Sequence, residues 1–300
     1  MFKIKLLLVF FVLFKTAFGY SQNEKNICFS HENLLRHIKT LSSDAFEGRR
    51  TGTQGANKAK KYIINQYHTL QVKPFKQGYQ QTFLFNKGKK QYKGVNVIGY
   101  IKGTCVPNKY IVISAHYDHE GIKNGKIYNG ADDNASGLSA LFSFAEYFKT
   151  HPPKHSVILA AFDAEELGLK GSSYFVNNLN VPYHKILLNI NMDMISRSNT
   201  NTLHVAGSNI YKQFIQAVCC VAHENFTLKS GHDGFDENDS WVYASDHANF
   251  HKKDIPFLYF GVDDHDDYHE PTDDFENIHP TFYIEAVKTI ISVFNKIDKS

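Results

Sequence analysis

The chain has 300 residues, 42% of them hydrophobic and 21% charged, ordinary values for a globular protein that exclude wholesale disorder and multiple membrane spans. With 33 basic against 30 acidic residues the formal net charge is only +3, so there is no large basic surplus with which to bind nucleic acid or an acidic lipid surface. This length accommodates one catalytic domain with a large core.

Met1, Lys3 and Lys5 open the chain, an apolar run of nine residues from Leu6 to Phe14 follows, and small residues stand at Ala17 and Gly19. That order of charged, apolar and small residues is the pattern of a signal peptide, and the run is shorter than the roughly 20 residues a membrane-spanning helix needs. Residues 1–19 are therefore read as a leader, and 20–300 as a single domain with an N-terminal helical lead-in. The domain is expected to be exported to a periplasm or beyond the cell, without stable membrane insertion once the leader is removed. Loss of Lys3, Lys5 and Lys15 brings the basic count from 33 to 30, equal to the acidic count, so the mature protein is close to neutral. The four cysteines, Cys28, Cys105, Cys219 and Cys220, are too few for a disulfide scaffold and lack the paired spacing of a thiolate zinc site. An oxidising compartment permits one bridge without specifying which.

Past the leader, helices are expected at Asn33 to Leu41 and Gln54 to Leu70, separated by a polar, glycine-bearing segment. Short apolar runs at Val95 to Ile101, Tyr110 to Ala115, Ser156 to Phe162, Ile186 to Ile190 and Pro256 to Phe260 read as buried strands. Helical stretches at Ser136 to Phe148, Ser172 to Leu179, Tyr211 to Ala222 and Thr281 to Phe294 alternate with them, and 231–240 reads as a polar loop. The alternation predicts an α/β fold, a three-layer sandwich whose central sheet is mixed but largely parallel and covered by helices on both faces. No repeat, low-complexity tract or long linker divides it.

Acidic residues and histidines cluster directly after these strands, at the edge where open α/β sheets bind ligands. His116 follows one strand. Asp132 and Asp133 lie in N-G-A-D-D-N-A-S-G, Glu165 and Glu166 in D-A-E-E-L-G-L-K-G-S, Asp193 in N-M-D-M-I-S and His269 in D-Y-H-E-P-T-D-D-F. A single acid or histidine at a strand end commonly does no more than cap a helix or face solvent. A set delivered to one rim must pair its charges or bind cations. Two imidazoles and three carboxylates, with no cysteine among them, suit a borderline metal such as zinc, with manganese or cobalt as substitutes. A carboxylate can bridge two ions about 3.5–4 Å apart, which leaves one acid free to move protons.

These motifs, together with L-S-S-D-A-F-E-G-R-R-T-G from Leu41, resemble the M28 family of zinc aminopeptidases. The five ligand-bearing positions fall in the family order, with spacings of 16, 34, 27 and 76 residues. The resemblance implies two zinc ions, with His116 and Asp193 on one, Glu166 and His269 on the other, and Asp132 as the bridge. It also implies Glu165 as the general base and acid, Asp118 as the carboxylate that orients the His116 imidazole, and a cis bond between Asp132 and Asp133. The implied reaction is hydrolysis of peptide bonds in peptide or protein substrates by a water that both metals activate, removing N-terminal residues. Tyr268 resembles a tyrosine that helps stabilise the oxyanion in some relatives. Asp263 and Asp264 are candidates to receive the substrate ammonium, against the alternative of a solvated acidic loop. Aromatic residues between Phe235 and Tyr243 could line a specificity pocket or belong to the core, and Asp246 and His247 are assigned a supporting part without metal ligation. The rivals are a glutaminyl-cyclase-like acyltransferase with one zinc, a carboxypeptidase-type relative, and a non-catalytic binding protein on the same fold. The pattern specifies no oligomeric state.

Overall fold

The computed structural model describes residues 27–300 apart from 180, 220, 221, 224 and 236–238; the leader at 1–19 and Cys220 lie outside these residues. Ser30 starts the first helix, α1 (His31–Leu41), by accepting the Asn33 amide on its hydroxyl at 3.1 Å. Thr53 does the same for Ala56 at the start of α2 (Gln54–Thr69). Each such cap satisfies one of the amides that a helix N-terminus leaves without a partner.

The remaining helices are α3 (Gly137–Thr150), α4 (Lys170–Asn177), α5 (Ile215–Val218), α6 (His247–His251) and α7 (Pro280–Lys299). Almost every residue of α3 from Gly137 to Phe148 is buried, as expected of a helix that is apolar on all sides. Proline at the first position of α7 sets its entry angle, and Phe282, Tyr283, Ala286, Val287, Ile290, Ile291 and Phe294 form one buried stripe.

A ten-stranded sheet runs through the molecule. Its strands are β1 (Lys73–Pro74), β2 (Gln80–Lys87), β3 (Lys90–Ile101), β4 (Val106–His116), β7 (His155–Phe162), β8 (Ile186–Met192), β9 (Thr202–Ala206), β10 (Ala222–His223), β11 (Phe226–Ser230) and β12 (Phe257–Gly261). A separate hairpin joins β5 (Gly121–Lys123) to β6 (Lys126–Tyr128). The order is β1-β3-β7-β4-β8-β12-β9-β11-β10, with β2 also paired to β3. The central strands β7, β4, β8 and β12 are mutually parallel, whereas β3 and β9 flank them in antiparallel fashion. Alternate side chains of the central strands face opposite layers. Ile111, Ile113, Val157 and Leu159 pack toward the layer of α1, α2, α3 and α7. Val112, Ile158, Ala160 and Phe162 pack toward Phe175 of α4 and Phe250 of α6. Burial on both faces explains why these strands read as continuous apolar runs. This is the three-layer α/β sandwich.

One expected helix needs correction. The segment 211–222 is not one helix: a 3-10 turn at Lys212–Phe214 leads into α5, Cys219 is extended, and Ala222–His223 pairs with β11. Strand pairing at the sheet edge ends the helix early. The half-exposed strands β2 and β11 and the five-residue β9 carry too little apolar sequence to stand out. β2 and β3 form a hairpin whose turn holds Gly88 at φ +62°, a left-handed conformation that glycine adopts without strain. Among the described residues no helix is long and apolar enough to cross a membrane.

Candidate metal centre

The C-terminal ends of the parallel strands β4, β7, β8 and β12 share one edge, so the residues that follow them converge. His116 ends β4, Glu165 and Glu166 follow β7, Asp193 follows β8, and the 262–269 loop follows β12. The Asp193 amide donates to the Phe260 carbonyl at 3.0 Å, which extends the ladder into the site. Ala164, Met194 and His269 take φ values of +60°, +58° and +55°, each a left-handed non-glycine residue costing of order 1–3 kcal/mol. One is next to Glu165, one follows Asp193 and the third is His269 itself.

His116 Nε2 lies 3.1 Å from Asp193 Oδ1 and 3.3 Å from Asp133 Oδ1. His269 Nε2 lies 3.1 Å from Asp133 Oδ2 and 3.3 Å from Glu166 Oε2. The two oxygens of Asp133 therefore face two separate histidines. His119, three residues beyond His116, brings Nδ1 to 2.9 Å from Glu166 Oε1 and 3.6 Å from Asp133 Oδ2. Donors about 2.0–2.1 Å from a tetrahedral zinc stand about 3.4 Å from one another, so these separations fit the edges of a coordination polyhedron. Burial alone pushes the Asp133 and Glu166 carboxyls up. The surrounding imidazoles more than offset this, holding Asp133 well below the usual range and Glu166 at about 2.

Asp132 is not part of this cluster. Its Oδ1 accepts the Ser196 amide at 2.7 Å and the Ser196 hydroxyl at 2.8 Å, and its Oδ2 meets His265 Nε2 at 3.1 Å. The carboxylate that stands between the two histidines is thus Asp133, one residue beyond the expected Asp132. The backbone between Asp132 and α3 is not helical at Asp133 and Asn134, and the two adjacent carboxylates are sent to different neighbours. Asp273 fixes the pair by accepting the Asp132 amide on Oδ1 at 2.9 Å and the Asp133 amide on Oδ2 at 3.0 Å. The cis bond is Asp133–Asn134, not Asp132–Asp133. Gly130 belongs to the same turn: at its φ of +57° a Cβ would lie 2.1 Å from the Asp133 carbonyl oxygen and 2.5 Å from the His119 ring, so no side chain fits there.

Asp118 also works differently from the expectation. His116 Nδ1 donates to the Asp118 backbone carbonyl at 3.1 Å, while the nearer Asp118 carboxylate oxygen is 3.9 Å away. Because a carbonyl can only accept, Nδ1 carries a hydrogen, which leaves Nε2 as the ring nitrogen that faces the acids and that a metal would use. The Asp118 carboxylate instead accepts the Glu165 amide at 3.0 Å and the Thr51 hydroxyl at 3.2 Å. It positions the backbone of the glutamate pair. Burial pushes the Glu165 carboxyl well above its ordinary range; His116 opposes this, and Asp193, Asp246 and Glu166 add to it.

The segment around Arg49 has a physical part here that its sequence does not disclose. The Arg49 side chain is fully buried and donates to the carbonyls of Leu41, Tyr117, Asn129 and Gly130 at 2.6–2.9 Å. It ties the loop after β4 to the loop before Asp132, and its charge lies near Asp133, Asp273, Asp118 and Glu166. Burial lowers its guanidinium to about 10, against the pull of those acids. Ser245 was likewise missed: its hydroxyl donates to Asp193 Oδ2 at 2.6 Å.

The cleft above the cluster is lined by His116, Asp133, Glu165, Asp193 and His269 together with Met194, Trp241, Tyr259, Val262, Asp264 and Tyr268. Tyr268 stacks on His269 with centroids 4.0 Å apart, and burial keeps its phenol protonated. Asp264 faces the cleft, but Asp263 does not; its carboxylate contacts His204 and His232. Of the aromatic residues after 235, Trp241 lines the cleft whereas Phe235 and Tyr243 are exposed. His247 is buried and donates from Nε2 to the Trp241 carbonyl at 2.8 Å. Asp246 is buried and raised by burial to about 7.

The fold and the site define a class: α/β proteins that gather imidazole and carboxylate donors at the carboxyl edge of a parallel sheet core. The model of peptidase family M28 matches residues 96–294, and the chain belongs to that family. It is 30% identical over 198 residues to Aminopeptidase YwaD of Bacillus subtilis (strain 168), a match that covers 61% of this chain and 40% of YwaD. The chain thus spans less than half the length of that curated relative. Among solved structures it is similar to BSAP, a zinc aminopeptidase from Bacillus subtilis, with a TM-score of 0.71, 18% identity and coverage of 91% of this chain and 96% of that one. It is also similar to Porphyromonas gingivalis glutaminyl cyclase, with a TM-score of 0.73, 16% identity and coverage of 90% and 99%. At these identities the two structures establish the fold.

Proposed function

We propose that this protein is a zinc-dependent aminopeptidase with two metal positions, one at His116, Asp133 and Asp193 and the other at Asp133, Glu166 and His269, with His119 in reach of the second. The observation that carries this reading is the Asp133 carboxylate, whose two oxygens face His116 and His269 separately. Zinc held there would polarise the scissile carbonyl and acidify water, with manganese or cobalt as possible substitutes. Glu165, whose carboxylate lies beside His116 and Asp193, takes the proton from the attacking water as the C–O bond forms. It returns that proton to the amide nitrogen as the C–N bond breaks. The neutral Tyr268 phenol donates to the developing oxyanion. Asp264 accepts the free ammonium of a peptide, and Trp241, Tyr259, Val262 and Met194 offer an apolar wall to its first side chain. Residues 1–19 act as an export leader; N-terminal sequencing of the mature protein from its native host tests this.

The deciding experiment compares aminoacyl amides with their N-acetylated forms and measures the zinc content of wild type and Glu165→Gln. Hydrolysis confined to free amines is expected, with turnover in the variant lower by about 10²–10⁴-fold at unchanged zinc content. Full turnover in the variant, or equal turnover of blocked substrates, overturns the reading. Formation of pyroglutamate from an N-terminal glutaminyl peptide by a protein holding a single zinc replaces it with the cyclase reading.

A further inference from the structure

We infer that His204, His232 and Asp263 form a separate site for a transition-metal dication, zinc in the first instance, which fastens one wall of the cleft to the sheet. This does not depend on the catalytic reading, since none of the three belongs to the cluster around Asp133. The topology brings them together. His204 of β9 stands opposite Gly261 of the antiparallel β12, two residues before Asp263. His232 comes two residues after β11, which runs parallel to β9 with Ser230 beside Val205.

Both imidazoles are buried, at 5% and 4% exposure, while the Asp263 side chain is open to solvent. His204 Nε2 is 3.3 Å from Asp263 Oδ2 and His232 Nε2 is 3.7 Å from Asp263 Oδ1. All three donor atoms lie within 4.8 Å of one another. These spacings are close to those between donors on one tetrahedral zinc, about 3.4 Å, and to the separations around Asp133.

The tautomer of His232 points the same way. Its Nδ1 meets the Asp239 backbone carbonyl at 3.0 Å and the Asp239 carboxylate at 3.2 Å, both acceptors, so that nitrogen carries a hydrogen and Nε2 is the ring nitrogen that faces the Asp263 carboxylate. A carboxylate oxygen facing that nitrogen is met either by an N–H or by a bound cation, and an outer carbonyl on the far ring nitrogen is the usual support of a metal-bound histidine. Two imidazoles and one carboxylate suit a borderline dication, with a fourth position left to water through the exposed side. The His232 ring stacks on Trp241 with centroids 3.6 Å apart. A metal here would therefore fix Trp241 and the start of the 262–269 loop together.

The test counts metal in the full chain loaded with zinc and freed of excess by gel filtration. Wild type is expected to hold one more zinc per chain than His204→Ala or His232→Ala, and His116→Ala is expected to keep that additional ion. Equal zinc in wild type and both histidine variants overturns the site and shows a metal-free hydrogen-bonded triad. Should the buried variants fail to fold by circular dichroism, Asp263→Asn at the exposed position decides. Zinc affinity at this site at least about tenfold weaker supports the inference, and unchanged affinity overturns it. Absence of zinc from the Asp133 cluster alone would count against the catalytic proposal and leave this one standing.

Discussion

The two halves of the cleft are built by different means. His116, Asp133, Glu165, Glu166 and Asp193 sit at or just past the ends of central strands or the start of a buried helix, and backbone hydrogen bonds fix them in register. Trp241, Asp264, Tyr268 and His269 stand on loops held by individual side-chain contacts: His247 on the Trp241 carbonyl, His232 stacked on its ring, and an Arg197–Asp267 ion pair. The inner half is therefore rigid and suits chemistry that needs donors within fractions of an ångström. Apart from His269, which completes the second proposed metal position, the outer half can differ between relatives without disturbing the sheet, and is the natural place for substrate preference.

The largest effect expected from this difference separates two neighbours of the inner half. Asp133→Asn should lose most of its zinc and at least about 10³-fold of activity, because polarisation by a metal is worth several kcal/mol. Asp132→Asn removes only an outer support and should cost about 10–100-fold. Activity and zinc content of the purified variants check the order; equal losses would undo the one-residue shift of the bridge. Next comes the joint between the N-terminal lead-in and the inner half. Arg49→Met leaves four buried carbonyls and several acids without their partner, and should destabilise the fold by about 3–5 kcal/mol in urea unfolding. A loss under about 1 kcal/mol would mean that water replaces the guanidinium at little cost.

These cases show what the sequence could disclose. The alternation of apolar runs and helical stretches is visible because central strands are buried on both faces, and the acidic clusters are visible because they follow those runs. Which of Asp132 and Asp133 turns toward His116 was not legible, since spacing cannot resolve adjacent residues whose fate depends on Asp273 and Ser196, each more than 60 positions away. His119 was within view, in H-Y-D-H, but a third histidine beside an assigned ligand carries no signal until Glu166 is brought beside it. Arg49 stood in a segment recognised only by resemblance. Its purpose depends on carbonyls from three other stretches of chain, and no periodicity encodes those.

In the outer half the acidic pair at 263 and 264 divides. Asp264→Asn should raise KM for free-amine substrates about five- to tenfold with kcat little changed, an effect of ~1 kcal/mol for a partly solvated ion pair. Asp263→Asn should leave the discrimination between free and blocked amines intact, since its carboxylate is turned to the histidines. Steady-state kinetics on both substrate classes checks this; a common effect of the two variants would return the loop to simple solvation.

The smallest expected effect concerns His247, which fixes Trp241 from beneath. Its ring is buried between Phe257 and Tyr259, with centroids 4.6 and 4.5 Å away, and burial lowers its imidazole from 6.5 to about 3. The unfolded chain then binds a proton in a range where the folded chain does not. The contribution to stability is full above pH 6.5 and falls away as the pH drops toward 3. Between pH 7 and 6 this one group accounts for a loss of about 0.7 kcal/mol. His247→Gln has no proton to bind, so the fall in unfolding free energy over that interval should be smaller by that amount, measured on the two proteins in the same buffers. Equal slopes would show that His247 is already accessible to protons, and that the outer half opens around Trp241 without unfolding the sheet.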